Sequence, residues 1–320
     1  MSSSHLLVSV PDELVKSTLS HVSDRVEFVI WDMSGPAPAT DIDIVVPPYL
    51  RPISVLERLK GLNVKLVQSL MVGYDGVEEV LPAGVTYANA ASVHETSTAE
   101  LTLALLLAAQ RGIPDFVRAA ERGHWAPNWH PSLADRRVLL IGYGGVGRAI
   151  ESRLLPFEAL VTRVASHERI DERGVIYGIE SLAQLLPAAE VVIVAVPLTP
   201  ATTHLVNDAF LSLLADGSLL VNVARGKVAD TNALVEHARH GRLRLALDVV
   251  DPEPLPDGHP LFTMENVLIS PHVGGASSAM APRVTRLVDE QIARMLRGES
   301  PINVIFPREE RASNSTLAVH

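Results

Sequence analysis

The sequence predicts an α/β protein made of two doubly wound parallel-sheet domains. Two observations carry this. Over the first hundred residues, short aliphatic runs alternate with helical stretches, the pattern of a small parallel-sheet domain. Further on, Arg137–Ile141 runs straight into Gly142-Tyr143-Gly144-Gly145-Val146-Gly147, and an apolar-periodic helical stretch follows. A second α/β unit therefore begins on a glycine-rich strand-to-helix turn. At 320 residues there is room for two domains of ordinary size, and 47% hydrophobic content suits aliphatic packing.

In the first domain, residues 5–10 read as a buried strand. Pro11 opens a helix to about Ser20, since the first helical N–H has no partner to lose. Residues 26–31 and 42–46 read as strands, 52–60 as a helix closed by Gly61, and 64–68 as another strand. Loops 47–51, 69–75 and 89–94 leave strand carboxyl ends, where open α/β sheets bind ligands. In the second loop, Gly73 lets the N–H groups of Val72 and Gly73 turn toward an anion, though such a glycine is often only a turn.

Ser97-Thr98-Ala99-Glu100 has the form of a capping box and launches an apolar helix from Ala99 to about Gln110. A helix so apolar is expected to connect the domains, buried between layers or at a subunit interface. Ile113–Glu121 continues as a more polar helix. Residues 123–133, with Trp125, Trp129, Pro127 and Pro131, read as a loop that wraps the surface, or that of a neighbouring subunit.

The second domain starts at the glycine turn. Gly142 permits a tight exit from the strand, Gly144 lets the backbone approach a pyrophosphate, and Gly147 lets helix and strand pack closely. The helix N-terminus then faces the phosphates with unpaired N–H groups. Leu160–Ala165 is the next strand, whose end carries an acid in NAD sites. Here that position is about Ala165, followed by Ser166, His167, Glu168 and Arg169. Ser166, His167 and Arg169 suit a 2′-phosphate and favour NADP over NAD. Glu168 opposes that, and a solvated turn fits the same residues.

Residues 180–186 read as a short helix and 191–196 as a central strand ending in Pro197-Leu198-Thr199-Pro200. Strands at 219–223, 245–249 and 267–270 follow, with a helix at 230–240 closed by Gly241 and a proline-rich loop at 251–260. A long helix from about 277 to 296 returns the chain toward the first domain, and 308–320 reads as a disordered polar tail.

Composition narrows the function. A net charge of −10 disfavours nucleic acid and anionic membrane as partners, so an anionic substrate needs a local positive patch. The absence of cysteine removes disulfides, thiolate metal sites and cysteine nucleophiles, and no metal site is expected. No signal-peptide pattern stands at the N-terminus, and the most apolar run, 101–109, is about half a membrane span. A soluble cytoplasmic protein is expected.

Arg225, Glu253 and His272 each stand just beyond a predicted strand of one sheet, where residues distant in sequence converge. A guanidinium fork matches a carboxylate or a polarised carbonyl. An imidazole exchanges a proton near neutral pH, and a neighbouring carboxylate stabilises its cation. With a nicotinamide, these are the parts for reducing a 2-oxo acid. Arg225 would hold and polarise the substrate, His272 would protonate the forming alkoxide, and Glu253 would orient His272.

Asn222-Val223-Ala224-Arg225-Gly226, Asp248-Val249-Val250-Asp251-Pro252-Glu253-Pro254 and Ser270-Pro271-His272-Val273-Gly274 resemble the signature segments of the D-isomer-specific 2-hydroxyacid dehydrogenases. Val72-Gly73-Tyr74-Asp75, Ser97-Thr98-Ala99-Glu100 and Pro197-Leu198-Thr199-Pro200 extend the match over nearly the whole chain. The resemblance implies a Rossmann-type cofactor domain (97–283) inserted in a flavodoxin-like substrate domain (1–96 plus 284–320). It also implies a homodimer held by the cofactor domains and an active site in the cleft between domains.

By position, Arg225, Glu253 and His272 match the family's catalytic triad, and Val72 and Gly73 its substrate-carboxylate loop. Asp248 matches its contact to the nicotinamide carboxamide. Thr98, Pro197, Thr202, Ala224 and Gly274 match further cofactor-lining positions beside Gly142, Gly144, Gly145, Val146 and Gly147. Tyr49 and Arg51 are candidates for the substrate pocket from their place at a strand end. Glu253 beside His272 differs from the Gln–His pair of the formate-oxidising branch, so formate is not the expected substrate.

The missing ribose-binding acid resembles the glyoxylate/hydroxypyruvate reductase branch. The expected activity is reduction of such a 2-oxo acid by NAD(P)H to its D-2-hydroxy acid. A phosphoglycerate dehydrogenase is the enzymatic alternative; the C-terminal regulatory domain that some of those enzymes carry is not expected in a chain this short, and only Arg51 suggests extra basic charge. A nicotinamide-sensing binding protein of the co-repressor kind is the non-enzymatic one.

Overall fold

A computed structural model describes residues 5–19 and 24–307, which divide into two units. The polar tail at 308–320 lies outside the described residues. One unit runs to Val93 and resumes at Ser278, and the other spans His94–Ser277.

The first unit opens with β1 (Leu6–Val10), α1 (Glu13–Thr18), β2 (Val26–Ile30) and β3 (Asp41–Val45). A 3₁₀ segment (Ile53–Leu59), β4 (Asn63–Gln68), α2 (Val77–Val80) and β5 (Thr86–Ala88) follow. Helix α1 starts later than its sequence suggests. Asp12 is the N-cap, its carboxylate accepting the Val15 N–H at 2.8 Å, and Pro11 stays outside the helix.

The second unit carries α3 (Glu95–Gln110), α4 (Ile113–Glu121), β6 (Arg137–Ile141), α5 (Gly145–Leu154), β7 (Leu160–Ala165), β8 (Arg169–Asp171) and β9 (Gly174–Gly178). It continues through α6 (Leu182–Leu185), β10 (Val191–Val194), α7 (Asp208–Ser212), β11 (Leu219–Asn222), α8 (Thr231–Arg239), β12 (Arg244–Leu247) and β13 (Val267–Ile269). The chain returns to the first unit with α9 (Met280–Arg297) and β14 (Val304–Phe306).

The first sheet has the order β14-β5-β4-β3-β1-β2, and the second β13-β12-β11-β10-β6-β7-β9-β8. Both are parallel except at one edge, where β14 runs antiparallel to β5 and β8 antiparallel to β9. Those two edge strands are additions to the expected doubly wound parallel sheets. In the second sheet the chain leaves β6 in one direction through β7 and returns on the other side through β10. A topological switch point therefore lies between β6 and β10, where such sheets take ligands.

Each sheet is covered on both faces, which is why its strands read as continuous aliphatic runs. In the second, Leu139, Ile141, Val192 and Val194 face one core, and Leu140, Ile193 and Val221 face the other with Leu103 and Leu106 of α3 and Ile150 of α5. In the first, α9 lays Val284, Leu287, Val288 and Ile292 at helical spacing against Leu6, Val8, Ile44 and Leu66. Each such side chain contributes about 1.5–3 kcal/mol by transfer from water.

The Ser97 capping box does not form. Helix α3 begins at Glu95, so Ser97 lies inside it, and its hydroxyl meets the Ser277 hydroxyl at 2.6 Å.

Candidate active site

The glycine turn between β6 and α5 has the form a dinucleotide requires. Gly142 holds φ +104°, and a Cβ there would overlap the Ala195 carbonyl of the neighbouring strand exit. A Cβ on Gly147 would overlap the Gly142 carbonyl oxygen, so the helix approaches the strand only without one. Gly144 is the opposite case: no described atom lies within 4 Å of where its Cβ would stand. That open position is where a pyrophosphate would pass.

Helix α5 begins at Gly145 with Gly144 as its cap, so no cap side chain takes up its first N–H groups. These features fit a bound dinucleotide, with Gly144, Gly145 and Val146 facing the phosphates. Across the same end of the sheet, a Cβ on Gly274 would stand 2.9 Å from Asp248 Oδ2 and 3.4 Å from Thr98 Cγ2. Thr202 is used locally: its hydroxyl donates to the Pro197 carbonyl at 2.7 Å and accepts the Thr199 N–H at 2.8 Å. It shapes the turn after β10.

At the far end of β7, Ser166, His167 and Arg169 are exposed. Arg169 opens β8, one strand of a hairpin with β9, so of the two expectations for these residues, a 2′-phosphate site or a solvated turn, the turn does not extend over Arg169. Its guanidinium donates to the Tyr143 carbonyl at 3.3 Å and the His167 carbonyl at 3.5 Å. A cation thus stands beside the glycine turn, on the side of β7 where adenosine sites lie.

The three candidate catalytic residues follow neighbouring strands. Arg225 succeeds β11, Glu253 β12 and His272 β13, and β11 pairs with β12, β12 with β13. Asn222 builds the Arg225 turn: its amide oxygen accepts the Ala224 N–H at 3.0 Å and its amide nitrogen donates to the Arg225 carbonyl at 3.3 Å. Arg225 itself donates to the Ala224 carbonyl at 2.7 Å. A Cβ on Gly226 would overlap the Val250 carbonyl oxygen, which fixes how closely the turns after β11 and β12 approach.

Glu253 Oε1 and His272 Nδ1 are 2.5 Å apart, both side chains about 40% exposed. A carboxylate only accepts, so Nδ1 carries the proton and Nε2 is the nitrogen turned to other partners. This pair fixes the imidazole at the same end of the sheet as the Arg225 turn, which follows β11 two strands away.

Asp248 is 3% exposed. One oxygen accepts Ser270 Oγ at 2.6 Å and the Val273 N–H at 3.0 Å; the other accepts the Gly274 N–H at 2.9 Å. Three of roughly four lone-pair sites are taken, leaving one for a ligand amide.

Four candidates lie in the first unit. Tyr49 packs against the core of that unit, and burial pushes its phenol above the ordinary value. Arg51 is exposed and lies within electrostatic reach of Asp32, whose carboxyl is held low chiefly by hydrogen bonds from Ser34. Val72 and Gly73 are half-buried, and the Val72 carbonyl accepts the Asn89 side chain at 2.8 Å.

Sequence reasoning assigned no role to Asn222, Ser270 or Tyr143. A signal was present for the first, since an asparagine ending an aliphatic strand runs against strand propensity. Among the described residues, no group of three His, Cys, Asp or Glu could hold a metal ion, and no helix is long and apolar enough to cross a membrane.

Residues 103–274 match the family model for the D-isomer specific 2-hydroxyacid dehydrogenase NAD binding domain. A glyoxylate reductase of Korarchaeum cryptofilum is 30% identical over 93% of this chain and 95% of its own. The human glyoxylate reductase/hydroxypyruvate reductase is 30% identical over 84% of this chain and 88% of its own. Among solved structures, a D-isomer specific 2-hydroxyacid dehydrogenase from Xanthobacter autotrophicus Py2, in complex with NADPH and MES, superposes with a TM-score of 0.81. It is 29% identical and covers 95% of this chain and 99% of its own.

Proposed function

The chain belongs to the D-isomer-specific 2-hydroxyacid dehydrogenase family, and from that premise we propose which residues carry its reaction. It is an NAD(P)-dependent oxidoreductase that moves a hydride between NAD(P)H and a small 2-oxo acid of the glyoxylate/hydroxypyruvate kind, giving a D-2-hydroxy acid. The observation that carries the residue assignment is the His272–Glu253 pair, set at the end of the sheet that also carries the glycine turn.

The nicotinamide supplies the hydride. Arg225 holds the 2-oxo acid through its carboxylate and carbonyl oxygens, which match the guanidinium fork. His272 gives the Nε2 proton to the carbonyl oxygen as charge develops there. Glu253 accepts the Nδ1 proton's hydrogen bond and so keeps the ring aimed with Nε2 toward the substrate. The Val72 and Gly73 backbone takes the substrate carboxylate, with Tyr49 and Arg51 as further substrate contacts. Asp248 holds the carboxamide, and Thr98, Pro197, Ala224 and Gly274 line the cofactor. Thr202 acts through the Pro197 turn it closes.

NADP is the preferred cofactor, supported by Arg169 beside the glycine turn with Ser166 and His167 exposed nearby. The working form is a cytoplasmic homodimer, supported by two nearly fully exposed tryptophans on the segment after α4.

Nicotinamide absorbance followed with NADPH and NADH against glyoxylate, hydroxypyruvate, pyruvate and phosphohydroxypyruvate tests the proposal. Turnover is expected with glyoxylate or hydroxypyruvate, and faster with NADPH at low cofactor. Turnover confined to phosphohydroxypyruvate would move the assignment to a phosphoglycerate dehydrogenase. Cofactor binding without turnover of any acid would sink the catalytic assignment.

A further inference from the structure

Against β8, the strand that Arg169 opens, lies an ion cluster that no step of the proposed chemistry uses. Arg163 on β7 is 3% exposed and donates Nη1 to both carboxylate oxygens of Asp171 at 2.9 Å. Its guanidinium stands 5.1 Å from the centroid of the Tyr143 ring, and its Nε lies 3.6 Å from Glu151 Oε1. Arg173 donates to Glu151 Oε2 at 2.6 Å and to the Tyr143 hydroxyl at 2.7 Å. The Tyr143 hydroxyl in turn donates to Glu151.

Two arginines balance two carboxylates. Desolvation works against the charges of Asp171 and Arg163, and their hydrogen bonds and opposite neighbours outweigh it. The Asp171 carboxyl is held below its ordinary value and the Arg163 guanidinium above.

Such a cluster is a weak stabiliser, because desolvation consumes most of the Coulombic gain and apolar side chains of similar volume do as well. What it can supply is position. Strand β8 is three residues long, lies at the sheet edge and pairs with β9. Strand alternation puts Arg169 and Asp171 on one face and Ile170 on the other. All three residues are exposed, Ile170 at 77%, and the contacts of Asp171 with Arg163 and of Arg169 with the Tyr143 carbonyl show that the Arg169–Asp171 face is the one turned to the cluster. Asp171 is locked to Arg163, which stacks on the Tyr143 ring. Arg169, two residues earlier on the same face, reaches the carbonyl of that same Tyr143.

We infer that Glu151, Arg163, Asp171 and Arg173, closed on the Tyr143 hydroxyl, form a positioning device that sets the preference for NADP over NAD by holding Arg169 where the 2′-phosphate arrives. The inference rests on the proposed reading of Ser166, His167 and Arg169 as the 2′-phosphate site. Cofactor choice is then written partly in residues that never touch the cofactor.

Binding to the apoprotein tests it, with adenosine 2′,5′-bisphosphate and AMP followed by calorimetry and NADPH and NADH by fluorescence. The variants are Arg173→Gln, whose side chain is 43% exposed, and Asp171→Asn, with Arg169→Gln as the direct control. Arg173→Gln and Asp171→Asn should each weaken the bisphosphate and NADPH roughly tenfold, as expected for a displaced charge-assisted hydrogen bond, and leave AMP and NADH unchanged. Arg173→Lys should restore most of the loss. Added to Arg169→Gln, either variant should cost nothing more, because both act through the same contact.

Equal weakening of NADPH and NADH would overturn the inference. So would a lowered Tm with an unchanged NADPH-to-NADH ratio, or a loss fully additive to Arg169→Gln. If Arg169→Gln selectively loses NADPH while the cluster variants do not, the phosphate site stands and the positioning role falls. If Arg169→Gln changes nothing, both fall.

Discussion

Asp248 fastens the main chain on both sides of His272. Its side chain takes the Ser270 hydroxyl before the histidine and the Val273 and Gly274 N–H groups after it, and its carbonyl takes the His272 N–H at 2.8 Å. His272 sits at φ +52°, in the left-handed region that costs a residue with a Cβ roughly 1–2 kcal/mol. The clamp is what keeps the imidazole-bearing residue in that conformation. Asp248→Asn places an N–H₂ against backbone N–H donors and leaves at least one of them unsatisfied, at a cost of about 1–3 kcal/mol. We expect a lower Tm together with at least about tenfold slower turnover, since His272, the proposed general acid, is displaced. Thermal unfolding and steady-state kinetics on the same preparation decide it. An Asp248→Asn enzyme normal in both would show that the clamp does not position His272.

Arg225 and His272 should separate in kinetics. His272→Ala removes the proton donor but not the carboxylate anchor, so kcat should fall about 10²–10⁴-fold with the KM for the 2-oxo acid little changed. Arg225→Ala removes hydrogen bonds worth about 1.5–3 kcal/mol and should raise that KM roughly 10–100-fold as well as slowing turnover. Arg225→Lys should recover only part, because an ammonium lacks the planar fork. If His272→Ala raised KM alone, the two roles would have to be exchanged.

Much of this was legible because a parallel sheet buried on both faces writes its strands as aliphatic runs. Leu139, Leu140 and Ile141 before Gly142, and Val191 to Val194 before Pro197, announce themselves in that way. The residues proposed for catalysis, Arg225, Glu253 and His272, stand out in the sequence as ionisable residues following three such runs. The β8–β9 hairpin was hidden because Arg169 and Asp171 are polar and its inward face is closed by an ion cluster, so no hydrophobic alternation marks it. The Ser97-to-Glu100 pattern misled because a capping box is also a common accident inside a helix whose start, at Glu95, has no side-chain cap. Asp248 was read as a cofactor contact, and its clamp on the His272 loop needed the geometry of two strands at once.

Gly144 and Gly147 of the turn differ in what they exclude, and alanine at each should fail differently. At Gly147 the added methyl meets the Gly142 carbonyl, so the helix must shift away from the strand. An overpacked site of this kind costs typically about 1–3 kcal/mol, and Tm and cofactor affinity should drop together. At Gly144 the methyl enters open space, with φ at −91°, so Gly144→Ala should keep its Tm and lose cofactor affinity alone. Thermal unfolding without cofactor, beside NADPH titration, separates the two. A Gly144→Ala protein that bound NADPH normally would remove the pyrophosphate from this turn.

Residues 123–133 bear on assembly. The segment is tied to its own unit at one end: Gln110 Nε2 donates to the Ser132 carbonyl at 3.1 Å, and the His130 ring meets Phe116 edge-on with centroids 5.3 Å apart. Ahead of that anchor, Trp125 and Trp129 are 96% and 99% exposed. An indole buries on the order of 150–250 Å² when covered, so two such rings left in water forgo several kcal/mol at about 25 cal/mol per Å². A second copy of the chain is the cover proposed here. Sedimentation should give a dimer at micromolar concentration, and Trp125→Ala with Trp129→Ala should weaken it at least about 30-fold, the weight of one interface hot spot. Because the proposed catalytic residues lie at the other end of this unit's chain, His272 and Glu253 should keep their pairing in the double variant, read as retained NADPH binding and turnover at high protein concentration. A wild-type monomer would sink the dimer. So would a dimer unmoved by both substitutions, which would place the interface elsewhere.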